Sequence, residues 1–413
     1  MRILLVKPAF SRLLSNDVFL TYPLGPMLVA ANLKQRGHDV RVFHDDVSAG
    51  VPIPRAPVQF GPMIFRPVDD AVLAPLQKVL DDFQPEVVGI SSVTADSESA
   101  LAVAQLVKSH GIRTIGGGIH PSLLPDEAAE SYDAVFVGEG DSPEAIELFE
   151  NPDMTFAQGM CPDLNLLLPD RKCVIGWERY TTFLQGMIQT QRGCPYSCGY
   201  CAAPKVFGNK VRMRDAGLVR EEVESLGVQE GRIIDDAFAV NRNHGLAVCR
   251  ELSKVNYSWV CDIALQNVDR ELLNAMQDAG CTQINIGIES ASERWQALSG
   301  KKIKPGQPEA VLGWSKQRDI KVIYYFMIGF PGETLVELQA TLQMAKRLKD
   351  MGGQPCISIV TPSPGTRLAE LVAETGHVAD FTGRFIHQSS DGGFADVTEA
   401  EWQQILQGAD QIG

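Results

Sequence analysis

The sequence predicts an α/β protein in which an N-terminal doubly wound parallel sheet precedes a partial (β/α)6 barrel and a short C-terminal region. Short runs rich in β-branched residues alternate with helical patterns along most of the chain, as they do in parallel α/β folds. This alternation is interrupted once, near residues 151–180. The chain has 413 residues, of which 45% are hydrophobic, and this is enough apolar material for more than one core.

The first stretch of the chain predicts a doubly wound domain over residues 1–150. Its predicted strands are Arg2–Lys7, His38–His44, Glu86–Ser92, Ile112–Gly117 and Asp133–Gly138. Helical patterns separate these strands, which is typical of a sheet covered on both faces. The segment Val47–Pro67 is rich in proline and cannot be a central strand. We interpret this segment as a candidate lid.

The second stretch predicts the barrel. Residues 151–185 show little periodicity and are expected to be a linker. Residues 186–370 contain the predicted strands Met187–Gln191, Arg232–Asp236, Ser258–Ala264, Gln283–Glu289, Lys321–Met327 and Pro355–Thr361. Six βα units make a partial barrel, and its chemistry is expected at the carboxyl ends of the strands. Residues 371–413 form a short polar region with one amphipathic stretch, Glu399–Ala409.

Charge and composition exclude several classes of function. The net charge of −14 argues against binding to nucleic acids or anionic membranes, which requires a basic surface. No apolar run approaches the ~20 residues of a membrane span, and the N-terminus lacks the pattern of a signal peptide. We therefore expect a cytoplasmic protein whose nine cysteines are reduced rather than linked in disulfides.

A cysteine motif follows the first predicted barrel strand. Cys194, Cys198 and Cys201 have the spacing C-x3-C-x2-C. Three thiolates on one loop can hold three irons of a 4Fe–4S cluster and leave the fourth iron open to another ligand. A structural zinc site would need a fourth protein ligand, and none lies nearby in the sequence. The other cysteines are expected to be small buried hydrophobic residues; they are Cys161, Cys173, Cys249, Cys261, Cys281 and Cys356.

This cysteine loop resembles the signature of the radical S-adenosylmethionine (SAM) superfamily, in which SAM binds the open iron and is cleaved to a 5′-deoxyadenosyl radical. The resemblance implies a partial barrel and an external electron donor of the flavodoxin or ferredoxin type. It also implies SAM contacts at the positions that match the family's motifs, which are Tyr200, Asp235, Asp236, Glu289, Ser290, Gly329 and Phe330.

The residues themselves leave alternatives for these SAM positions. Asp235 and Asp236 could instead cap the next helix, because aspartate is a favoured N-cap residue. Glu289 could be a surface carboxylate at a strand end. The turn at Gly329 contains Pro-Gly and could serve only as a turn.

Small and polar residues occupy the predicted strand ends of the first domain, where doubly wound sheets bind ligands. These candidates are Ser91, Ser92, Thr94, Gly116, Gly117, Gly118, Gly138 and Glu139. The G-x-G-x-x-G fingerprint of dinucleotide binding is absent. The loops resemble the cobalamin-binding domain that precedes the barrel in many radical SAM enzymes. The resemblance implies bound cobalamin, but without the usual cobalt-ligating histidine, because the D-x-H-x-x-G motif is missing. His120 is expected to pack within its loop.

Together these resemblances imply a cobalamin-dependent radical SAM enzyme. Its expected reaction is methylation of an unactivated carbon of a small-molecule or natural-product substrate, through a 5′-deoxyadenosyl radical and methylcobalamin. The main alternative is a radical SAM oxidoreductase, cyclase or rearrangement enzyme in which cobalamin has another role or is absent. A tRNA-modifying methylthiotransferase would have a basic C-terminal module and further N-terminal cysteines, and this sequence has neither. A non-enzymatic sensor would bind the cofactors without cleaving SAM.

Overall fold

The computed structural model describes residues 1–8, 22–44, 70–166, 168–301, 303–375 and 394–412. These residues form two compact units, one made mainly of Met1–Thr181 and the other mainly of Thr182–Pro204 and Gly208–Ala379. Each unit is built on a parallel sheet, which confirms the predicted α/β fold class. The candidate lid Val47–Pro67 lies outside the described residues.

The first unit contains a six-stranded parallel sheet with the order β2-β1-β3-β4-β5-β6. Its strands are β1 (Arg2–Lys7), β2 (Asp39–His44), β3 (Val87–Ser91), β4 (Arg113–Gly117), β5 (Ala134–Gly138) and β6 (Phe156–Gly159). Its helices are Leu24–Gln35, Asp70–Phe83, Ser97–Ser109, Ile119–Leu123, Pro125–Ser131 and Pro143–Glu150. The strand order reverses between β1 and β3, as expected for a doubly wound sheet, so ligands are expected at the carboxyl ends of these strands.

Strand β6 lies in the stretch that the sequence predicts to be a linker. Phe156–Gly159 pairs with β5 in parallel, and the single turns Arg171–Cys173 and Trp177–Arg179 follow it. The sequence Phe-Ala-Gln-Gly has no β-branched residue, so its pattern carries little strand signal. The segment up to Thr181 therefore extends the first unit instead of forming an irregular linker.

The second unit contains a five-stranded parallel sheet with the order β13-β12-β11-β10-β9. Its strands are β9 (Glu230–Phe238), β10 (Ser258–Ile263), β11 (Cys281–Glu289), β12 (Lys321–Ile328) and β13 (Gln354–Ile359), and a small antiparallel pair joins β7 (Gln191–Arg192) to β8 (Arg212–Met213). The helices of this part of the chain are Thr182–Gln185, Ala203–Phe207, Ala216–Leu226, Arg242–Leu252, Arg270–Asp278, Glu293–Leu298, Gln307–Lys316, Leu335–Asp350, Arg367–Glu374 and Glu399–Ile412.

The first predicted barrel strand, Met187–Gln191, is reduced to one parallel bridge between Ile188 and Ile233. The Ile188 N–H donates to the Arg232 carbonyl at 2.9 Å, and the Ile234 N–H donates to the Ile188 carbonyl at 2.8 Å. Beyond this bridge the chain turns toward β8. The physical reason is that the Asp235 carboxylate accepts the next backbone N–H groups, so they are not available to a sheet.

The helices of the second unit pack on one face of its sheet. Isoleucine and aromatic side chains that alternate along the strands form a core with them, including Ile233, Trp259, Ile286 and Tyr324. The amphipathic stretch predicted near the C-terminus is the helix Glu399–Ile412, and its Trp402 is fully buried. None of the described helices combines the length and apolarity needed to cross a lipid bilayer.

A group of buried polar side chains lies at the carboxyl ends of β1 and β2. Lys7 forms an ion pair with Asp96, and both side chains are buried. The imidazole of His44 is also buried and contacts the Tyr180 hydroxyl through Nδ1. Burial, together with the charge of Lys7, lowers the pKa of His44 to about 3. His44 is therefore neutral in the folded protein near neutral pH.

The low pKa of His44 predicts an acid-sensitive fold. Between about pH 6.5 and pH 3 the unfolded chain binds a proton at this residue that the folded chain does not, so stability falls as the pH decreases. We expect His44→Gln to remove a dependence of up to about 1.4 kcal/mol per pH unit. The measurement is the free energy of unfolding in urea at neutral pH and near pH 5. The exposed His110→Gln variant is the control and should keep the wild-type dependence; identical slopes for all three proteins would contradict the prediction.

Candidate functional site

Cys194, Cys198 and Cys201 lie on the loop that follows β7 and are half-buried. The Cys201 N–H donates to the Cys198 carbonyl at 3.0 Å and closes a tight turn, while the Cys194 N–H donates to the Gly208 carbonyl at 3.4 Å. Burial raises the pKa of all three thiols, that of Cys201 to about 11. A bound cation would therefore be needed to hold them as thiolates.

The chemistry of this donor set, three cysteine thiols on one loop, fits an iron–sulfur cluster. Among the described residues, no three His, Cys, Asp or Glu side chains converge closely enough to bind one ion. In a 4Fe–4S cluster each cysteine binds a different iron, so the cysteine Sγ atoms do not converge on a single point. The charges of Cys194 and Cys198 nevertheless act on Cys201, so the three thiols share one small region. The donor set fits a cluster with one iron left for a further ligand.

Glu289 ends β11 beside this loop and is 6% exposed, so it is not a surface carboxylate. Its Oε1 accepts a hydrogen bond from the Tyr200 hydroxyl at 2.7 Å and forms an ion pair with Lys301. The backbone of Glu289 has φ of 68°, in the left-handed region that non-glycine residues seldom occupy. Such conformations concentrate at functional sites, which favours the predicted role of Glu289 in binding.

Lys301 is the main residue of this site that the sequence did not reveal. Its Nζ donates to the Gly287 carbonyl at 2.8 Å, and its charge lowers the pKa of Cys194 and Cys198 against the larger effect of burial. A Cβ on Gly287 would lie 2.2 Å from Glu289 Oε1 and 2.5 Å from Lys301 Nζ. A side chain at this position would displace the ends of Glu289 and Lys301, so glycine leaves the pair in its present place. A glycine inside a strand was the available signal, because it indicates close approach of another group.

Asp235 and Asp236 have different roles. Asp235 is buried and accepts the N–H groups of Thr190 and Gln191 at 2.7 and 3.1 Å, and burial raises its pKa to about 7. Asp236 is exposed, accepts the Gly193 N–H at 3.2 Å, and acts electrostatically on Cys194. The next helix is capped by Asn241, so neither aspartate has the alternative capping role. Asp236 is the better placed of the two to contact SAM.

Three further predicted SAM residues shape the site without presenting free polar side chains. The buried Ser290 hydroxyl hydrogen-bonds to Thr341 Oγ1 at 3.1 Å. The N–H groups of Gly329 and Phe330 donate to Glu333 Oε2 at 2.7 and 3.0 Å. The Phe330 ring stacks on Trp295 with centroids 4.7 Å apart. Glu333 was not predicted from the sequence, because a buried carboxylate that organises a turn leaves no periodic pattern. Burial raises its pKa to about 7.

In the first unit, the predicted cobalamin residues at the ends of β3 and β4 lie side by side. The Ser92 N–H donates to the Gly117 carbonyl at 3.0 Å. Gly118 has φ of 95°, and a Cβ there would lie 2.7 Å from the Ser92 carbonyl and 2.9 Å from Ser91 Oγ. Within the described part of the chain, the nearest atom to a Cβ on Gly117 would be Phe136 Cβ at 3.8 Å, whereas a Cβ on Gly116 would meet the Tyr132 ring at 2.3 Å. The backbone at Gly117 is therefore uncrowded, whereas Gly116 serves the packing of Tyr132.

The remaining residues predicted to contact cobalamin hold the loops together. Gly138 has φ of 105°, and a Cβ there would lie 2.2 Å from the Gly159 carbonyl. The buried Glu139 accepts the Cys161 N–H at 2.9 Å. His120 bridges Thr94 Oγ1 and Glu127 Oε1 at 3.4 and 3.2 Å, and burial lowers its pKa. Both ring nitrogens of His120 are thus engaged in loop packing, as expected.

The cysteine loop predicts a simple dependence of iron content on three residues. Replacing Cys194, Cys198 or Cys201 with alanine removes one of three ligands, so we expect iron and sulfide to fall to near background after anaerobic reconstitution. Iron, sulfide and the visible absorption of the protein provide the measurement. Cys356→Ser, on strand β13, is the matched control and should retain the wild-type iron content. Retention of a full cluster by all three loop variants would contradict the assignment.

Lys301 predicts a dependence of SAM binding on a buried charge. Lys301→Met leaves the Glu289 carboxylate buried and unpaired and removes a cation beside the cysteine loop, so we expect SAM to bind about 10- to 100-fold more weakly. Equilibrium dialysis of labelled SAM against the cluster-loaded protein measures this. The exposed Lys304→Met variant should bind SAM like the wild type. Equal affinities for the wild type and Lys301→Met at equal iron content would show that the pair is only structural.

Comparison with known proteins supports this organisation. A model of the radical SAM superfamily matches residues 188–345, and a model of the B12 binding domain matches residues 13–147. An uncharacterized methyltransferase of Pyrococcus horikoshii is 26% identical over 408 residues, which cover 90% of this chain and 83% of the relative. The hopanoid C-3 methylase of Methylococcus capsulatus is 24% identical over 398 residues, which cover 89% of this chain and 71% of the relative.

A solved structure shares the fold. It is the radical SAM methyltransferase TsrM from Kitasatospora setae with cobalamin and a 4Fe–4S cluster bound. It superposes with a TM-score of 0.70 and 17% identity, and covers 91% of this chain and 78% of TsrM. At this identity the similarity establishes the fold alone. The two family matches, in their order along the chain, lead to one conclusion: this protein belongs to the radical SAM superfamily and carries a B12 binding domain ahead of its radical SAM domain.

Proposed function

We propose that this protein is a cobalamin-dependent methyltransferase that modifies an unactivated carbon of a small-molecule substrate. The observation that carries the proposal is that one chain contains two features. The first is a loop with three thiols beside the buried Glu289–Lys301 pair. The second is a doubly wound unit whose backbone is open at Gly117. When bound, the cluster and SAM supply a radical that abstracts hydrogen, and cobalamin supplies a methyl group. The names of the two curated relatives support methyl transfer over the alternative outcomes.

In this proposal the residues of the second unit bind and orient SAM at the cluster. Cys194, Cys198 and Cys201 hold three irons. The exposed carboxylate of Asp236 accepts hydrogen bonds from an ammonium group, and Lys301 offers a buried positive charge to a carboxylate. Tyr200 packs in an apolar cluster with Trp295, Phe330, Leu298 and Met327, which suits the face of an adenine ring.

In the first unit, the residues at the carboxyl ends of β3 to β5 form the proposed cobalamin site. Ser91, Ser92 and Thr94 provide hydroxyl groups. Gly117 allows a ligand to approach the backbone closely, and Gly118 lets its loop pack against Ser91 and Ser92. Gly116, Gly138 and Glu139 support this site through packing and hydrogen bonds. We further propose a cytoplasmic location, an electron donor of the flavodoxin or ferredoxin type and no nucleic-acid partner; the net charge of −14 supports the last point.

Anaerobic reconstitution with iron, sulfide and hydroxocobalamin tests the proposed function. The expected composition is about four irons and one cobalt per chain. Incubation with a reductant, methyl-labelled SAM and a fractionated metabolite extract should then transfer label to a small molecule, together with release of 5′-deoxyadenosine. The Cys194→Ala variant should release none. Bound cobalt with 5′-deoxyadenosine but no labelled product would indicate a non-methylating reaction, and cluster binding without SAM cleavage would indicate a sensor.

A further inference from the structure

The five-stranded sheet of the second unit has a second face, opposite the helices, that the SAM and cluster residues do not account for. Along β9, β10 and β12, residues buried against the helices alternate with partly exposed ones. We call the second set the inner face, and its central members are Arg232, Val260, Asp262, Ile323 and Tyr325. The buried Asn285 on β11 lies between Asp262 and Ile323 in the sheet. The partial exposure of side chains in the middle of a sheet means that they line an open space.

A charged pair lies on this inner face. Arg232 on β9 forms an ion pair with Asp262 Oδ2 on β10, and the two side chains are 27% and 36% exposed. Asp262 Oδ1 accepts a hydrogen bond from Asn285 Nδ2 at 2.9 Å, and Asn285 Oδ1 accepts one from Gln283 at 2.9 Å. Both oxygens of Asp262 are therefore engaged, which fixes the position of the guanidinium group.

Arg232 retains unused hydrogen-bond donors. Its guanidinium group carries five N–H donors in a planar arrangement. Among the described residues its side chain hydrogen-bonds to Asp262 and interacts with the Tyr325 hydroxyl. Because the Arg232 side chain is 27% exposed, we infer that its further N–H groups, together with this hydroxyl, are accessible to a ligand in the open space. Such a set recognises an anionic or carbonyl oxygen.

The charges of Arg232 and Asp262 favour a carboxylate over a phosphate as the bound anion. Asp262 offsets the charge of Arg232, so the pair is neutral overall, and a phosphate dianion would meet a nearby carboxylate. A carboxylate carries one charge and matches the planar guanidinium with two parallel hydrogen bonds. Val260 is the neighbour of Arg232 on β10, and Ile323 lies one strand beyond Asn285, the neighbour of Asp262. These two apolar side chains on the same face suit an apolar body. The site therefore favours a molecule with one carboxylate and an apolar segment.

The distance between the Arg232–Asp262 pair and the predicted SAM residues indicates how long a bound substrate would be. Asp262 lies opposite Asn285 on β11, and Asn285 precedes Glu289 by four residues on the same strand. At a rise of about 3.3 Å per residue, the two levels are about 13 Å apart. A molecule anchored at Arg232 would thus place its far end near Glu289 and Lys301.

We propose that Arg232, held by Asp262 and assisted by the Tyr325 hydroxyl, anchors a carboxylate of the substrate, so that the substrate is a small apolar monocarboxylate. This inference rests on the proposed function, because it assumes that the reacting carbon lies near the SAM residues. No covalent step is involved at the anchor. Arg232 acts by binding and orienting the substrate.

Isothermal titration calorimetry with three probes of equal chain length tests the proposal: octanoate, octanamide and octyl phosphate. The protein is the cluster-loaded, cobalamin-loaded full chain. We expect the wild type to bind octanoate at least about tenfold more tightly than the other two probes. Arg232→Gln should abolish this preference, and Tyr325→Phe should reduce it. The exposed Arg242→Gln variant, which also loses an ion pair with an aspartate, should behave like the wild type.

The double variant Arg232→Gln, Asp262→Asn removes both charges and so avoids leaving Asp262 unpaired; it should lose the preference as well. Absence of octanoate binding, equal binding of the three probes by the wild type, or an unchanged preference in the double variant would overturn the proposal. Labelled-methyl transfer measured on the same preparations separates the two hypotheses. If octanoate preference depends on Arg232 but no methyl group is transferred, the anchor stands and the proposed reaction fails.

Discussion

The buried carboxylate of Asp235 determines where the cysteine loop begins. Burial of a carboxylate is costly unless hydrogen bonds compensate, and here Thr190 and Gln191 donate their backbone N–H groups to it. Those donors would otherwise extend the first barrel strand along β9. Because Asp235 takes them, the chain leaves the parallel sheet after Ile188, pairs briefly with β8, and enters the loop of Cys194. A single side chain thus converts the end of a barrel strand into the start of the loop that carries Cys194.

Both units place buried ion pairs at the carboxyl ends of parallel strands. Lys7 and Asp96 form such a pair in the first unit, and Lys301 and Glu289 form one in the second. A buried pair contributes little net stability, because desolvation offsets the attraction, but removing one partner is costly. Such pairs therefore fix side chains at positions where a ligand is expected. Gly287, beside the second pair, leaves the space that this arrangement needs.

In the second unit, one face of the sheet packs in the apolar core, and the other face carries polar side chains that could bind a ligand. The face toward the helices carries Ile233, Trp259 and Ile286 in a continuous apolar core. The inner face carries the Arg232–Asp262 pair and partly exposed residues. The alternation of side chains along a strand makes this division possible, because one strand contributes to both faces. The core residues hold the strand ends in place, and the strand ends present Glu289 and the proposed SAM site.

The sequence by itself determined the features that are local. β-branched runs predicted five of the six strands of the first sheet and all five strands of the second sheet to within a few residues. The spacing of Cys194, Cys198 and Cys201 predicts a set of cluster ligands, because these residues lie within one short loop. Only the tertiary structure decided the rest. It assigned Asp235 to the backbone of a segment 45 residues earlier, paired Lys301 with Glu289, and added β6 to the first sheet. These outcomes depend on burial and on contacts between distant segments, which leave no periodic pattern in the sequence.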